Sequence, residues 1–257
     1  MNIYVCIKQV PDTETKIKLN ADNSGIDPTG IKWIMSSYDE FAVEESLRLR
    51  DKNPGSTVTV LSAGPARVVD TIRTALAMGA DQAIHVEIPE TADNNLAAKA
   101  LAGALKKEAK VDIVFTGKEA IDDGAAQVSQ LVAEYFGMPY ITVVLGAEYG
   151  GTSVKCRREI EGGAIEVIEA SLPVLIAAQK GLNEPRYASL PNIMKAKKKE
   201  VKALKMADVG VSDADQKIRY KNYQLPPPKQ AGKKIAGDPA TQAKELARLL
   251  HEEAKVI

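Results

Sequence analysis

The stretch VDIVFTG (111–117), KEAIDDGAAQ (118–127) and VSQLVAEYFG (128–137) decides the fold class of this 257-residue chain. Its first part is a short apolar run that ends at a glycine, which is typical of a buried β-strand. Its last part carries apolar residues at helical spacing and also ends at a glycine, which is typical of a helix with a left-handed C-terminal stop. A strand, a loop and a helix in this order indicate one βα unit of a parallel sheet.

The same unit recurs on both sides of this stretch. Helical patterns separate further short apolar runs, and Ser37 and Glu40 form a capping-box pattern at the start of one helix. This alternation predicts right-handed βαβ crossovers, and hence a Rossmann-like, mostly parallel α/β sheet with helices on both faces. The further predicted strands are 3–8, 57–61, 83–87, 141–145 and 173–178.

Two features depart from this repeating unit. Residues 153–158 and 164–170 flank a glycine pair and predict an antiparallel hairpin. After Ala207 the periodicity is lost until a short C-terminal helix, whose apolar stripe packs either on its own domain or on a second subunit. The sequence therefore predicts an α/β domain over 1–206 and an extended C-terminal arm over 207–257.

Composition places the chain among ordinary soluble globular proteins. Hydrophobic residues make up 45% and charged residues 26%, and 34 Lys and Arg balance 34 Asp and Glu. Because the net charge is zero, no global field attracts nucleic acid or an anionic membrane surface. Cys6 and Cys156 are the only cysteines, and no run reaches the roughly 18 apolar residues that a membrane span needs. These features predict a cytoplasmic protein with no direct membrane insertion and no nucleic-acid partner.

Catalytic chemistry has few candidate residues in this sequence. His85 and His251 are the only imidazoles, which excludes a His-rich metal site and leaves little material for a Ser-His-Asp triad. Asp122 and Asp123 are adjacent on one loop, so their carboxylates diverge and cannot flank one scissile bond. The sequence therefore predicts no catalytic residue and no metal site.

The loop over 117–127 is the best candidate for a binding site. It follows a strand at the edge where parallel sheets bind their ligands. Its glycines allow close backbone approach, and the next helix offers unpaired N–H groups to a phosphate. It is neither a Walker A loop, nor a dinucleotide fingerprint, nor an ATP pyrophosphatase loop. We therefore predict a bound mononucleotide, with Asp122 and Asp123 serving in helix capping, in contacts to ribose hydroxyls or in a contact to a partner.

A second candidate site is the recognition loop (residues 182–199). Pro185 and Pro191 stiffen it, and we expect Leu190 to be exposed at its tip. An exposed apolar residue on a pre-organised loop is suited to docking in another protein's pocket. Six lysines follow between 195 and 205, a composition that is most typical of a solvated helix face and less often of an anion or RNA site.

The runs 5–8, 42–45, 71–81, 117–123, 158–163 and 183–199 follow the pattern of one known family. Through them the sequence resembles the electron transfer flavoprotein beta subunits over nearly the whole chain. The resemblance implies a heterodimer in which an alpha subunit holds the redox FAD, while the beta subunit binds a structural AMP. Because the apolar stripe of the C-terminal arm needs a surface to cover, we predict that the arm wraps the alpha subunit. It implies an electron carrier and not an enzyme, which accepts electrons from acyl-CoA dehydrogenases of fatty acid beta-oxidation and passes them towards a quinone oxidoreductase.

The resemblance also assigns individual residues to the AMP site and to dehydrogenase docking. It implies that AMP is held by Cys6, Ser36, Ser37, Tyr38, Asp39, Ala63, Gly117, Lys118, Glu119, Ala120, Ile121, Asp122, Asp123, Gly124, Ala125, Ala126, Gln127 and Val128. It implies that docking uses Tyr187, Leu190, Pro191, Ile193, Met194, Lys197, Lys198 and Lys199.

Departures from the family pattern leave alternatives open. Ser36-Ser37 stands where the family often has Asn-Pro. Residues 8–13 resemble relatives that bind a second FAD in the beta subunit and bifurcate electrons from NADH, whereas 183–187 and 190–192 resemble AMP-type members, so AMP is favoured. A free-standing nucleotide-binding stress or sensor protein is the alternative of another class, because fold does not fix function.

Overall fold

A computed structural model describes residues 1–229 and 231–257 of the chain. The helices are α1 (Ser37–Lys52), α2 (Val68–Met78), α3 (Asn94–Lys106), α4 (Val128–Phe136), α5 (Leu190–Ala196) and α6 (Pro239–Arg248). The strands are β1 (Asn2–Cys6), β2 (Gln9–Pro11), β3 (Trp33–Met35), β4 (Thr57–Gly64), β5 (Gln82–Glu87), β6 (Ile113–Gly117), β7 (Tyr140–Tyr149), β8 (Ser153–Glu159), β9 (Ile165–Ser171), β10 (Val174–Ala178) and β11 (Lys202–Lys205).

One large sheet organises the described residues. Its strand order is β11-β5-β4-β1-β6-β10-β7-β8-β9, and β2 pairs with β3 in a separate antiparallel ribbon. The first seven strands in this order are parallel, and β8 and β9 complete the sheet as an antiparallel hairpin. The predicted mostly parallel α/β fold and the predicted hairpin are confirmed.

Helices cover both faces of the sheet. Successive residues of a strand point to opposite faces, so an apolar strand has side chains to bury on both sides. Ile3 and Val5 of β1 belong to one buried cluster, together with residues of α1 and α2. Tyr4 and Cys6 belong to the other, together with residues of α3 and α4. Both faces of β1 are therefore buried, which explains why its sequence is a continuous apolar run and not an alternating one.

The strand order reverses beside β1. From β1 the chain continues to β4 and β5 on one side of it, and β6 and β10 lie on its other side. At such a switch point the connecting loops leave in opposite directions and open a crevice beyond the carboxyl ends of the strands. Cys6 and Gly117 end β1 and β6, so this crevice lies at the predicted nucleotide loop.

Of two predictions about helix ends, one is confirmed and one is wrong. Gly137 ends α4 in the left-handed conformation, with φ 89°, as predicted. The capping box is wrong, because α1 begins at Ser37 with Ser36 as its N-cap, and no side-chain cap hydrogen bond is made. No helix in the part of the chain that the structure describes is long and apolar enough to cross a membrane.

The start of the predicted arm packs on α3. Val209 and Val211 are buried in the same core cluster as α3, and a Cβ on Gly103 would collide with Val209. Further along, the backbone N–H of Ile218 donates to Asp93 at 2.8 Å. Beyond Ile218 the described residues are mostly exposed, and α6 has no buried residue.

The two edges of the large sheet differ. β11, which the sequence analysis did not predict, is a four-residue strand that begins at Lys202 and ends at Lys205, both of them exposed. β9 has seven residues, and its Ile165 and Val167 are 49% and 53% exposed. One edge is therefore short and basic, and the other is longer and partly apolar.

Candidate functional site

The carboxyl ends of three neighbouring strands border the crevice. Cys6 ends β1, Ala63 is the penultimate residue of β4 and Gly117 ends β6. The first turn of α1 lies against the same crevice, because the N–H of Ser36 donates to the carbonyl of Lys8 at 3.0 Å. The structure therefore brings together predicted site residues from four separate parts of the sequence.

Asp39, in the first turn of α1, joins the ends of β1 and β6. Its carboxylate accepts the backbone N–H of Lys8 at 2.7 Å and that of Gly117 at 2.9 Å. Burial raises the pKa of Asp39 to about 7, and the two amide donors and the Lys8 charge oppose this rise. Asp39 was expected from the sequence only as one of the residues that hold AMP. This bridge was not predicted, because it joins residues far apart in the chain.

Gly117 permits the closest approach in the site. A Cβ at this position would lie 2.6 Å from Oδ1 of Asp39 and 2.7 Å from Cβ of Tyr38. Both distances are shorter than real contacts allow, so any other residue would push β6 away from α1. At this position, glycine is required by the approach of α1, whereas the sequence analysis assigned the loop glycines to the approach of a phosphate.

Asp122 and Asp123 form ion pairs and do not cap α4. Nζ of Lys8 lies 2.8 Å from Oδ1 of Asp122 and 3.4 Å from Oδ2 of Asp123. α4 begins at Val128, and its N-cap is Gln127. Of the three roles expected for the two aspartates, helix capping is therefore wrong. Because Lys8 balances part of their negative charge, the two carboxylates repel a nearby anion less than their sequence suggests.

The first turn of α1 carries an orphaned polar atom. Oγ of Ser36 is fully buried and has no hydrogen-bond partner within residues 1–229 and 231–257. A buried hydroxyl without a partner costs about 1–3 kcal/mol, so such groups usually have a ligand or water as a partner. On the other side of the crevice, the first N–H groups of α4 have no acceptor within their own helix. Together these groups fit a polar, anionic ligand such as a nucleotide.

Lys118 adds a positive charge next to the crevice. Its Nζ lies 4.9 Å from the centroid of the Tyr38 ring and 3.3 Å from Oε1 of Glu119. Burial alone would lower the pKa of Lys118, but the hydrogen bond and charge of Glu119 raise it overall, so the ammonium stays charged. Lys118 is therefore a cation held between an aromatic face and a carboxylate.

The cysteines are buried thiols, and His85 is a strand residue. Cys6 and Cys156 are both free, and burial, with a smaller effect of the Asp39 charge, raises the pKa of Cys6 to about 12. Nε2 of His85 lies 2.8 Å from the carbonyl oxygen of Gly64 in the neighbouring strand. Within the described residues, no group of three or more His, Cys, Asp or Glu could hold a metal ion.

The recognition loop exposes several apolar side chains. Tyr187 is 99% exposed and Leu190 is 79% exposed, and Met194 is also exposed. Leu190 is the first residue of α5, whose N-cap Ser189 accepts the N–H of Asn192. The expected exposure of Leu190 is confirmed, although the residue lies at a helix start and not at the tip of an irregular loop.

The lysines after α5 do not share one helix face. Lys197 and Lys198 are exposed just beyond α5, whereas Nζ of Lys199 donates to the carbonyl of Ala80. Lys202 and Lys205 lie in β11. The predicted solvated helix face is therefore wrong for most of this run. Of the three lysines expected to dock a partner, Lys197 and Lys198 are the two whose side chains are exposed.

Two glutamates of α1 hold the first part of the recognition loop. Glu44 accepts Nε of Arg186 at 2.7 Å, and Glu45 accepts Nδ2 of Asn183 at 3.0 Å. Burial raises the pKa of Glu44, but hydrogen bonds from Arg186 and Arg48 outweigh it and lower the pKa overall. These contacts were not predicted from the sequence. The signal in the sequence was two adjacent carboxylates among the apolar residues in the middle of α1.

Comparison with known proteins identifies the family. The family model "Electron transfer flavoprotein domain" matches residues 25–209. The chain is 41% identical over 261 residues to "Electron transfer flavoprotein subunit beta" of Bacillus subtilis (strain 168), covering 100% of both chains. It is also 41% identical to the proteins of the same name from Bos taurus, covering 97% of this chain and 99% of that one, and from Syntrophomonas wolfei subsp. wolfei, covering 100% and 98%.

The chain belongs to the electron transfer flavoprotein family, as a beta subunit. It is therefore a subunit of an electron carrier and not an enzyme, as the resemblance predicted. Membership as a beta subunit implies an alpha subunit as its partner. The alternative of a free-standing sensor protein is wrong, because relatives with this name match the chain over its full length.

Proposed function

We propose that this beta subunit binds AMP in the crevice between β1 and β6 and uses its recognition loop to dock acyl-CoA-type dehydrogenases. The FAD, held mainly by the alpha subunit, supplies the electron-transfer chemistry. Electrons then pass towards a quinone oxidoreductase, and the complex works in the cytoplasm. In this proposal the residues of the chain bind, orient and dock, and none of them forms or breaks a bond.

The observation that carries the nucleotide assignment is the orphaned hydroxyl of Ser36 at the switch point of the sheet. Asp39 fixes the two strand ends on either side of it. The loop over 117–127 and the first turn of α4 would hold the phosphate, because they offer unpaired backbone N–H groups and the positive end of the helix dipole. Cys6, Ala63 and the first turn of α1 would border the nucleoside.

Nucleotide extraction tests this proposal directly. We expect the purified heterodimer to release one FAD and one AMP, and the beta chain alone to be colourless, because the flavin belongs to the alpha subunit. Chromatography and mass spectrometry of the denatured complex give the stoichiometry. Two FAD per heterodimer and no AMP would contradict the proposal and support the bifurcating alternative that residues 8–13 resemble.

The bridging carboxylate of Asp39 gives a second test, in which the nucleotide affinity depends on pH. The ionised carboxylate accepts both backbone N–H groups, whereas the protonated form loses one of these hydrogen bonds. Because the pKa of Asp39 is raised to about 7, AMP affinity should be highest above pH 7 and fall as the pH drops through 7. Asp39→Asn has one amide acceptor instead of two, so it should weaken AMP binding roughly tenfold at pH 8.

Calorimetric titration of the AMP-depleted heterodimer between pH 6 and 8 measures this effect. The AMP phosphate, with a second pKa near 6, affects wild type and variant alike, so the difference between them reports Asp39. Glu40→Gln is the matched control, because Glu40 is the exposed neighbouring carboxylate. An unchanged affinity in Asp39→Asn at pH 8 would show that the bridge does not support the nucleotide.

A further inference from the structure

The recognition loop spans the sheet and does not project from it. It leaves β10 after Ala178 and returns to the sheet as β11, on the far side of β5. It therefore passes β6, β1, β4 and β5. It does so on the face that carries α1 and α2, because Ala188 and Ala196 pack in the core cluster of that face. A crossover of this kind offers attachment points at each end.

The first attachment point is Glu44 of α1. Its two carboxylate oxygens accept the backbone N–H and the guanidinium of Arg186, at 2.7–3.2 Å. Arg186 also reaches Oδ2 of Asp51, two helical turns further along α1. Hydrogen bonds between ionised groups are stronger than neutral ones, and Glu44 is almost fully buried, so this contact fixes the backbone just before Tyr187.

The second attachment point is Arg73 of α2. Its Nη1 donates to the carbonyl oxygens of Ala196 at 2.7 Å, Lys197 at 3.1 Å and Lys199 at 3.4 Å. Carbonyl groups at the end of a helix lack N–H donors within it and carry partial negative charge, so a guanidinium there is favourable. α5 has only seven residues, too few to persist without such support.

Between these two points the backbone of α5 lies close to α2, but few side chains of the loop pack there. Tyr187, Leu190 and Met194 are exposed, and only two small side chains, Ala188 and Ala196, pack on the domain. The position of Leu190 relative to the domain therefore depends on how Glu44 and Arg73 hold the two ends of the loop.

We propose that Glu44 and Arg73 are positioning residues for dehydrogenase docking, which hold the recognition loop at its two ends so that Leu190 is presented in a preformed helix start. The inference rests on the proposed docking function of this loop. A preformed loop loses less conformational freedom on binding than a mobile one, so a weak and transient complex can still be specific. Neither residue touches the partner.

Steady-state kinetics of the heterodimer test this inference, with an acyl-CoA dehydrogenase, reduced by its acyl-CoA substrate, as electron donor. Arg73→Met should raise the KM for the heterodimer roughly tenfold and leave kcat unchanged. Arg73→Lys should restore part of the loss, because an ammonium can still donate to these carbonyls. Glu44→Gln is the second variant, in case Arg73→Met does not fold. Arg67→Met is the matched control, because Arg67 precedes α2 but pairs with Glu90.

Amide hydrogen exchange of the same heterodimers gives a readout that needs no dehydrogenase. Exchange at 193–199 should accelerate at least tenfold in Arg73→Met, while β4 amides are unchanged. The positioning role would be overturned if amide exchange at 193–199 were unchanged in Arg73→Met. It would also be overturned if Arg73→Met left the KM unchanged while Leu190→Ala raised it. No effect of Leu190→Ala on KM would instead overturn the docking function itself, and the inference with it.

Discussion

Replacing Leu190 by alanine is expected to slow reduction of the heterodimer by the dehydrogenase about ten- to a hundredfold at limiting concentrations. Leu190 is 79% exposed, so its own domain gains little from the side chain. Burying a leucine in a partner's pocket contributes about 1.5–3 kcal/mol, which corresponds to this range of affinity. Because the loss arises only in the complex, the melting temperature and the nucleotide content should stay as in wild type.

Stopped-flow reduction by an acyl-CoA-reduced dehydrogenase measures this loss, and reductive titration with dithionite checks that the flavin itself is normal. Leu190→Met keeps an apolar side chain of similar volume and should retain most of the rate. Lys197 and Lys198 add a salt-dependent attraction if the partner surface is acidic. A melting temperature lowered by many degrees together with a normal rate would show that Leu190 supports the fold and not docking.

Removal of residues 237–257 is expected to weaken association with the alpha subunit about a hundredfold or more. Among the described residues, no hydrogen bond joins this segment to the α/β domain. α6 carries Leu246, which is half exposed, and the helical turn 249–253 that follows α6 carries Leu250. Covering two leucines by a partner contributes about 3–6 kcal/mol, which sets the expected loss.

The truncated beta chain should keep its circular dichroism spectrum and melting temperature, because α6 adds nothing to the core. Sedimentation or calorimetry with the alpha subunit measures the association. The double variant Leu246→Ser, Leu250→Ser should reproduce most of the loss, whereas Gln242→Ser, Lys244→Ser on the same helix should not. Unfolding of the truncated chain on its own would show that the segment completes this domain.

Periodic and local features of the sequence predicted the fold well. Each apolar run or helical pattern needs only a few neighbouring residues to be recognised, as does the left-handed glycine at position 137. β11 escaped prediction because its sequence, KALK (202–205), is half charged and becomes a strand only by pairing with β5. The capping box failed because Ser36, one residue earlier, occupies the N-cap position.

Residues that the sequence assigned to the candidate site lie near one another in the structure, but their contacts were not predicted. The switch point follows from strand order, and the loop over 117–127 was identified from its glycines and position. The ion pair of Lys8 with Asp122 and the bridge from Asp39 to Gly117 join residues 114 and 78 positions apart. Such contacts depend on which strands become neighbours in space, and a single sequence carries no direct signal of that pairing.

The unequal edges of the sheet affect how the beta chain behaves before it meets a partner. An exposed edge strand has unpaired backbone groups that can pair with another chain, and short length and lysines discourage this. β11 has both protections, with Lys202 and Lys205 at its ends. β9 is longer and exposes Ile165 and Val167, so protection there rests on its glutamates, Glu166 and Glu169. Of the two edges, β9 is therefore the one through which newly made beta chain is more prone to aggregate.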